Sequence, residues 1–148
     1  MKVSAATRSR ARHFAMQAIY QWQISSNPIN LIEAEYHADN DMSKVDTEYF
    51  HELFHGVASS KSELDEQFTR YLKGMTLEQL DPVTLALLRL STYEFKNRID
   101  VPYRVVINES VNLAKKFGAE DSHKFVNGVL DRVAGDLRSA EVSAKRRS

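Results

Sequence analysis

Between Val101 and Ala134 the main apolar residues recur at steps of three and four, with one short break. A strand needs alternation, so the stretch VPYRVVINESVNLAKKFGAEDSHKFVNGVLDRVA is read as two helices joined by a tight turn. Val106, Ile107, Val111 and Ala114 line the first helix after Pro102. Gly118 follows Phe117, where a left-handed helix end costs least without a side chain. Ser122 is the expected cap of the second helix, with Glu120 and Asp121 near its positive end. Val126, Val129, Leu130, Val133 and Leu137 form the second stripe, Phe125 lies on its flank, and Asp121 and Lys124 face away. One aromatic and two charges therefore stand at a helix start, half turned to solvent.

The same period runs through most of the remaining chain. A helix is expected from about Thr7 to Ser25, burying Ala11, Phe14, Ala15, Ala18, Ile19 and Trp22. Tyr20 points away from that stripe, and its partner is either another helix of this chain or an unstacked base, for which a phenol ring offers a flat face. Arg8, Arg10 and Arg12 lie about two to three turns upstream, and cations beside an exposed aromatic are what single-stranded RNA requires. Asn27 and Pro28 open a short helix over Ile29 to His37, Asp46 caps a third helix, and Ser62 a fourth that Gly74 stops. Asp81 and Pro82 begin a helix to about Lys96 that is apolar all round and so is enclosed by neighbours. Its polar exceptions, Arg89 and Glu94, are assigned to structural pairing. After Leu137 the pattern dissolves into SAEVSAKRRS, a frayed tail.

The fold expected is all-α, with about seven helices forming two small bundles in one compact domain, 1–148. The halves cover about 1–75 and 76–140, followed by a basic tail, 141–148. The chain is long enough to bury a real core. It has no cysteine, which excludes disulfide and thiolate chemistry, and no apolar run near the roughly 20 residues of a spanning helix. A cytoplasmic protein is expected. The formal net charge of zero hides a basic start, an acidic middle and a basic end. Glu33 to Glu66 contains ten acids and two lysines, and local fields of this kind decide polyanion binding more than the sum does. Solvated helix faces would give the same pattern.

His51, Glu52 and His55 spell HELFH, the pattern in which two histidines one turn apart hold zinc and a glutamate activates water. A third ligand would have to come from elsewhere. Packing Phe50, Leu53, Phe54 and Val57 inward turns this triplet to solvent, which suits adventitious surface metal binding better than catalysis. No metal, cofactor or catalytic residue is assigned.

The segment DVPYRVVINESVNLAKKFGAEDSHKFVNGVLD closely resembles the C-terminal part of the NusB family of bacterial transcription antitermination factors. The resemblance extends to RSRARHFAMQAIYQWQ and LLRLSTYEF. It implies a helical RNA-binding protein that recognises boxA RNA of ribosomal RNA leader transcripts. It also implies pairing with NusE, a small-subunit ribosomal protein, and work with other Nus factors to keep RNA polymerase processive. On this sequence it places Lys2, Arg8, Arg10 and Arg12 on phosphates, Tyr20 and Phe125 at the RNA surface, and Asp121 and Lys124 in the same turn. Thr7 and Ser9 interrupt an arginine run that is often denser in the family, which weakens the expected contact. The acidic middle would suit a basic ribosomal partner. The rivals are a helical protein adaptor without RNA binding, a zinc hydrolase through HELFH, and, ranked last, the NusB-like module of some ribosomal RNA methyltransferases.

Four cations on single-stranded RNA would give a slope of log K against log salt of about −0.7 times four, roughly a fiftyfold loss between 50 and 200 mM. Phe125→Asp is expected to abolish RNA binding while circular dichroism shows unchanged helical content. Loss of helicity instead would make Phe125 a core residue.

Overall fold

The computed structural model describes the backbone of residues 3–147 and the side chains of residues 3–145. Among them are eight α-helices: α1 (Ala5–Ser25), α2 (Ile29–Asp39), α3 (Thr47–Ser59), α4 (Lys61–Thr69), α5 (Pro82–Asn97), α6 (Tyr103–Phe117), α7 (Ser122–Leu137) and α8 (Ser139–Arg147). A short 3-10 turn, Leu77–Gln79, leads into α5. No strand forms among the described residues, and no helix is long and apolar enough to cross a membrane.

The all-apolar helix is the axis of the molecule. Asp81 accepts from the Thr84 amide at 2.9 Å, Pro82 occupies the first turn, and α5 then buries every side chain from Ala86 to Phe95 except Tyr93, which is half-buried. Helices α1, α3 and α4 pack on it from one side of the sequence and α6 and α7 from the other, so both groups share it. Gly56 on α3 is required where the two helices approach, since a Cβ there would overlap the Tyr93 ring. Phe50, Phe54, Phe68 and Phe95 are fully buried around the axis.

Three buried arginines tie the helices to α5. Arg12 of α1 is 3% exposed and its Nε donates to both Glu94 carboxylate oxygens, at 2.9 and 3.0 Å, while its Nη1 lies 3.4 Å from Glu109 of α6. Burial works against its charge, but the Glu94 carboxylate outweighs it and holds the guanidinium protonated. Tyr49 of α3 donates to the same carboxylate at 2.5 Å, and burial followed by the Glu94 charge pushes its phenol far above the usual tyrosine range. Arg89 forks onto Asp65 of α4 at 2.9 and 3.0 Å, as structural pairing requires.

The third arginine corrects the expectation of a frayed tail. Residues 139–147 are helical because their start has buried work to do. Arg138 donates to the carbonyls of Phe95 and Arg98 at 2.8 and 2.9 Å, which the end of α5 leaves without helical partners. Its Nη1 also holds Glu141 at 2.6 Å, and Glu141 in turn accepts from the Tyr103 amide at 2.8 Å, capping α6 where Pro102 offers no side-chain acceptor. Val142 is buried beneath them. The side chains of Arg146 and Arg147 lie outside the described residues.

The α6–α7 turn also differs from expectation. Gly118 is extended, with φ −87° and ψ 173°, and the left-handed residue is Asp121, with φ 63°. Gly118 is needed for space, since a Cβ would run into Ser122 Oγ and the Ala114 carbonyl. Ser122 is the first residue of α7, and its hydroxyl makes no capping bond. At α4 the cap position belongs to Ser60, two residues closer to α3 than the expected Ser62, because the two helices follow each other almost without a loop.

Glu94→Ala should leave the Arg12 guanidinium buried without its counter-charge and cost about 3–5 kcal/mol. Urea denaturation checks this through the midpoint at constant slope; an unshifted midpoint would mean that Arg12 reaches solvent.

Candidate nucleic-acid interface

The structure separates the arginines that the sequence groups together. Arg10 is exposed, with Nη1 donating to the Lys44 carbonyl at 3.2 Å. Arg8 is half-buried over the Tyr49 ring, 4.7 Å from its centroid, with Asp100 at 3.4 Å and Asp46 at 3.8 Å. A bidentate hydrogen bond from Arg98 holds that Asp100 carboxyl down to about 2, so it is a full negative charge beside Arg8. Arg12 does not lie on a phosphate-facing surface, contrary to expectation: α1 is covered by α5 and α6 as well as α3, and this guanidinium is spent on Glu94. Lys2 lies outside the described residues.

Tyr20 is 37% exposed and shares a shallow groove with Gln17, Gln21, Ile24 and Tyr36. Arg10 lies in a second groove, between α1 and α6, with His13, Glu109 and Lys116. His13 sits edge-on to Phe117 at 5.0 Å, and Lys116 caps the same ring at 5.2 Å. Burial, and then the Lys116 charge, lower the His13 pKa below its ordinary 6.5, so at neutral pH His13 supplies a ring and not a charge.

Phe125 and Lys124 open onto a third and chemically richer site. A cleft of about 370 Å³ runs between the end of α4 and the outer face of α7, lined by Arg70, Tyr71, Lys73, Lys124, Phe125 and Arg132 with Gly128 and Val129. Four cations and two aromatic rings meet there, and no acid is among the lining residues. Lys73 and Gly74 take left-handed φ of 55° and 86°, and the chain turns back at this point. Gly128 keeps the floor low, since a Cβ at that position would meet nothing within 4 Å. Tyr71 is fixed by donating its hydroxyl to Asp136 at 2.5 Å, which also keeps the phenol protonated. Asp121 and Lys124 pair at 3.5 Å at the start of α7, both largely exposed.

Such a cleft can hold phosphates by charge and bases by stacking. Arg70, Tyr71, Lys73 and Arg132 were not among the residues singled out from the sequence. Lys124, Gly128 and Arg132 follow one another at steps of four, so their shared face was there to be found. The contribution of α4 was not, because it depends on how α4 packs against α7.

A family model described as the NusB family matches residues 9–135, a span that includes all of α1 but its first four residues, α5, α6 and all but the last two residues of α7. The chain belongs to the NusB family. The transcription antitermination protein NusB of Teredinibacter turnerae is 76% identical over 146 residues, covering 99% of each chain. Among solved structures, T. maritima NusB superposes with a TM-score of 0.77 at 33% identity, covering 90% of this chain and 92% of that one. A structure of the antitermination factors NusB and NusE in complex with double-stranded RNA matches with a TM-score of 0.69 at 26% identity, covering 88% and 97%.

The cleft yields a test independent of the family. Lys73→Ala and Arg132→Ala are each expected to weaken RNA binding and to flatten the log K against log salt slope by about 0.7, measured by fluorescence anisotropy. Equal slopes for wild type and variants would remove this cleft from the RNA path.

Proposed function

We infer that this protein is a transcription antitermination factor that binds boxA-like RNA of ribosomal leader transcripts together with NusE and helps keep RNA polymerase processive. The observation that carries this is the cleft lined by four cations and two aromatic rings on a chain of the NusB family. A related structure holding NusB, NusE and RNA supports it. The protein acts in the cytoplasm, by binding and without chemistry.

Within this reading, Arg70, Lys73, Lys124 and Arg132 meet phosphates, and Phe125 and Tyr71 present ring faces to bases. Arg10 adds a phosphate contact in the separate α1–α6 groove, and Asp121 orients Lys124 through their ion pair. Tyr20 stands at the far groove as an additional stacking surface. Arg12 positions α1 from within the core. The exposed acids Glu35, Asp39, Asp41 and Glu48 of the N-terminal half supply a negative face for basic NusE.

Arg10, Arg70, Lys73, Lys124 and Arg132 give five exposed cations in place of the four read from the first twelve residues. The expected slope for single-stranded RNA steepens to about −3.5, roughly a hundredfold loss of affinity between 50 and 200 mM salt. Titrating the protein into boxA-like RNA, single- and double-stranded, with and without NusE at both salts, should show salt-sensitive binding that tightens with NusE. Affinity indifferent to salt, or NusE binding with no RNA binding in any condition, would make this a protein adaptor instead.

A further inference from the structure

The HELFH segment acquires in the fold the third ligand that the sequence leaves open. His51 and His55 lie one turn apart on α3, with their rings stacked at 3.9 Å between centroids. Glu33 reaches across from α2 and places one carboxylate oxygen on each ring: Oε2 is 2.8 Å from His51 Nδ1 and Oε1 is 2.7 Å from His55 Nε2. The donor atoms of the three residues all lie within 4.8 Å of one another. We propose that Glu33, His51 and His55 form a zinc site that clamps α2 to α3.

Two imidazoles and a carboxylate are the donor set that a borderline divalent ion such as Zn²⁺ prefers, and hard Mg²⁺ does not. Tetrahedral bonds of about 2.0–2.1 Å separate ligand atoms by roughly 3.3 Å. The carboxylate–imidazole distances therefore open by about half an ångström to admit the ion, and the two ring nitrogens, now within 4.8 Å, settle at the same spacing. In the metal-free arrangement each facing ring nitrogen donates its N–H to Glu33. Zinc takes the place of those two protons, each of which passes to the other ring nitrogen or to solvent. Water fills the fourth position, because the His51 side chain is 56% exposed.

The site is a staple and not a hydrolase. Glu52, the residue that HExxH chemistry would use as its base, is held by Arg98 Nη1 at 2.7 Å and accepts from the Tyr93 hydroxyl at 3.2 Å, toward α5. Helix α2, in contrast, has a use for a clamp: Ile32 is its one fully buried side chain among the described residues, and Pro28 gives it no side-chain cap. An ion bridging Glu33 to α3 adds a cross-link to a helix with little apolar anchorage.

The test is calorimetric titration of ZnCl₂ into the full chain, without a histidine tag and freed of metal by chelator dialysis. Glu33→Gln, His51→Gln and His55→Gln are compared with His123→Gln as a control, all with helicity confirmed by circular dichroism. One zinc per chain is expected, at least tenfold weaker in each of the three variants and unchanged in the control. The melting temperature should rise with zinc in wild type and control only, and MgCl₂ should do nothing. No zinc uptake, several weak equivalents, or binding that survives any one of the three substitutions overturns the proposal. In particular, full affinity in Glu33→Gln would leave a surface histidine pair and no clamp. Neither outcome bears on RNA binding, which uses other helices.

Discussion

A single carboxylate organises the interior. Glu94 on the central helix is 1% exposed, and its two oxygens receive Arg12 from α1 and Tyr49 from α3. Its backbone carbonyl faces Arg138 at the end of α7, at 3.3 Å. A buried charge with fewer partners would be costly, so the position demands that three helices approach α5 at fixed depth and rotation. Apolar packing alone tolerates slippage between helices; a satisfied buried ion pair selects one arrangement, and the cleft on the far side of α7 inherits its geometry from that selection.

From α5 outward the molecule divides its labour. The inner faces carry the aromatic core and the paired arginines, Arg12, Arg89 and Arg138. The outer faces carry exposed charges of both signs, and one of them gathers Arg70, Lys73, Lys124 and Arg132 around two rings. The same residue type thus does two unrelated jobs. Burial distinguishes them: a guanidinium sealed among helices must find its carboxylate within the chain, whereas an exposed one remains available to a polyanion.

The amphipathic stripes of α1, α3, α5, α6 and α7 were legible in the sequence, because period 3.6 and caps such as Asp46 and Asp81 are local signals. The destination of Glu94 was legible in kind, as structural pairing. Arg12 was misplaced because the stripe of α1 suggested one buried face, while α5 and α6 cover a second. Residues 139–147 looked unstructured since the one buried apolar side chain described among them, Val142, gives no period. Their order comes from Arg138 and Glu141 reaching distant carbonyl and amide groups. Half of the cleft and the Glu33 contact were invisible for a related reason: each joins helices that lie far apart in the chain or meet at an angle no local pattern encodes. The NusB resemblance supplied Phe125 and Lys124, and the fold supplied what surrounds them.

The clamp made by Arg138 and Glu141 has a bearing on biosynthesis. Arg138 is made 43 residues after Phe95, whose carbonyl it satisfies, and Glu141 follows Tyr103 by 38. Until those residues are made, the Phe95 carbonyl and the Tyr103 amide lack the side-chain partners they have in the finished fold. Helices α1 to α5 can assemble once Glu94 has been made, but the α5–α6 junction closes only once Arg138 and Glu141 follow. The Arg138–Glu141 segment is therefore the latch of the fold, and the nascent chain passes through a stage in which its central helix is packed but not yet sealed.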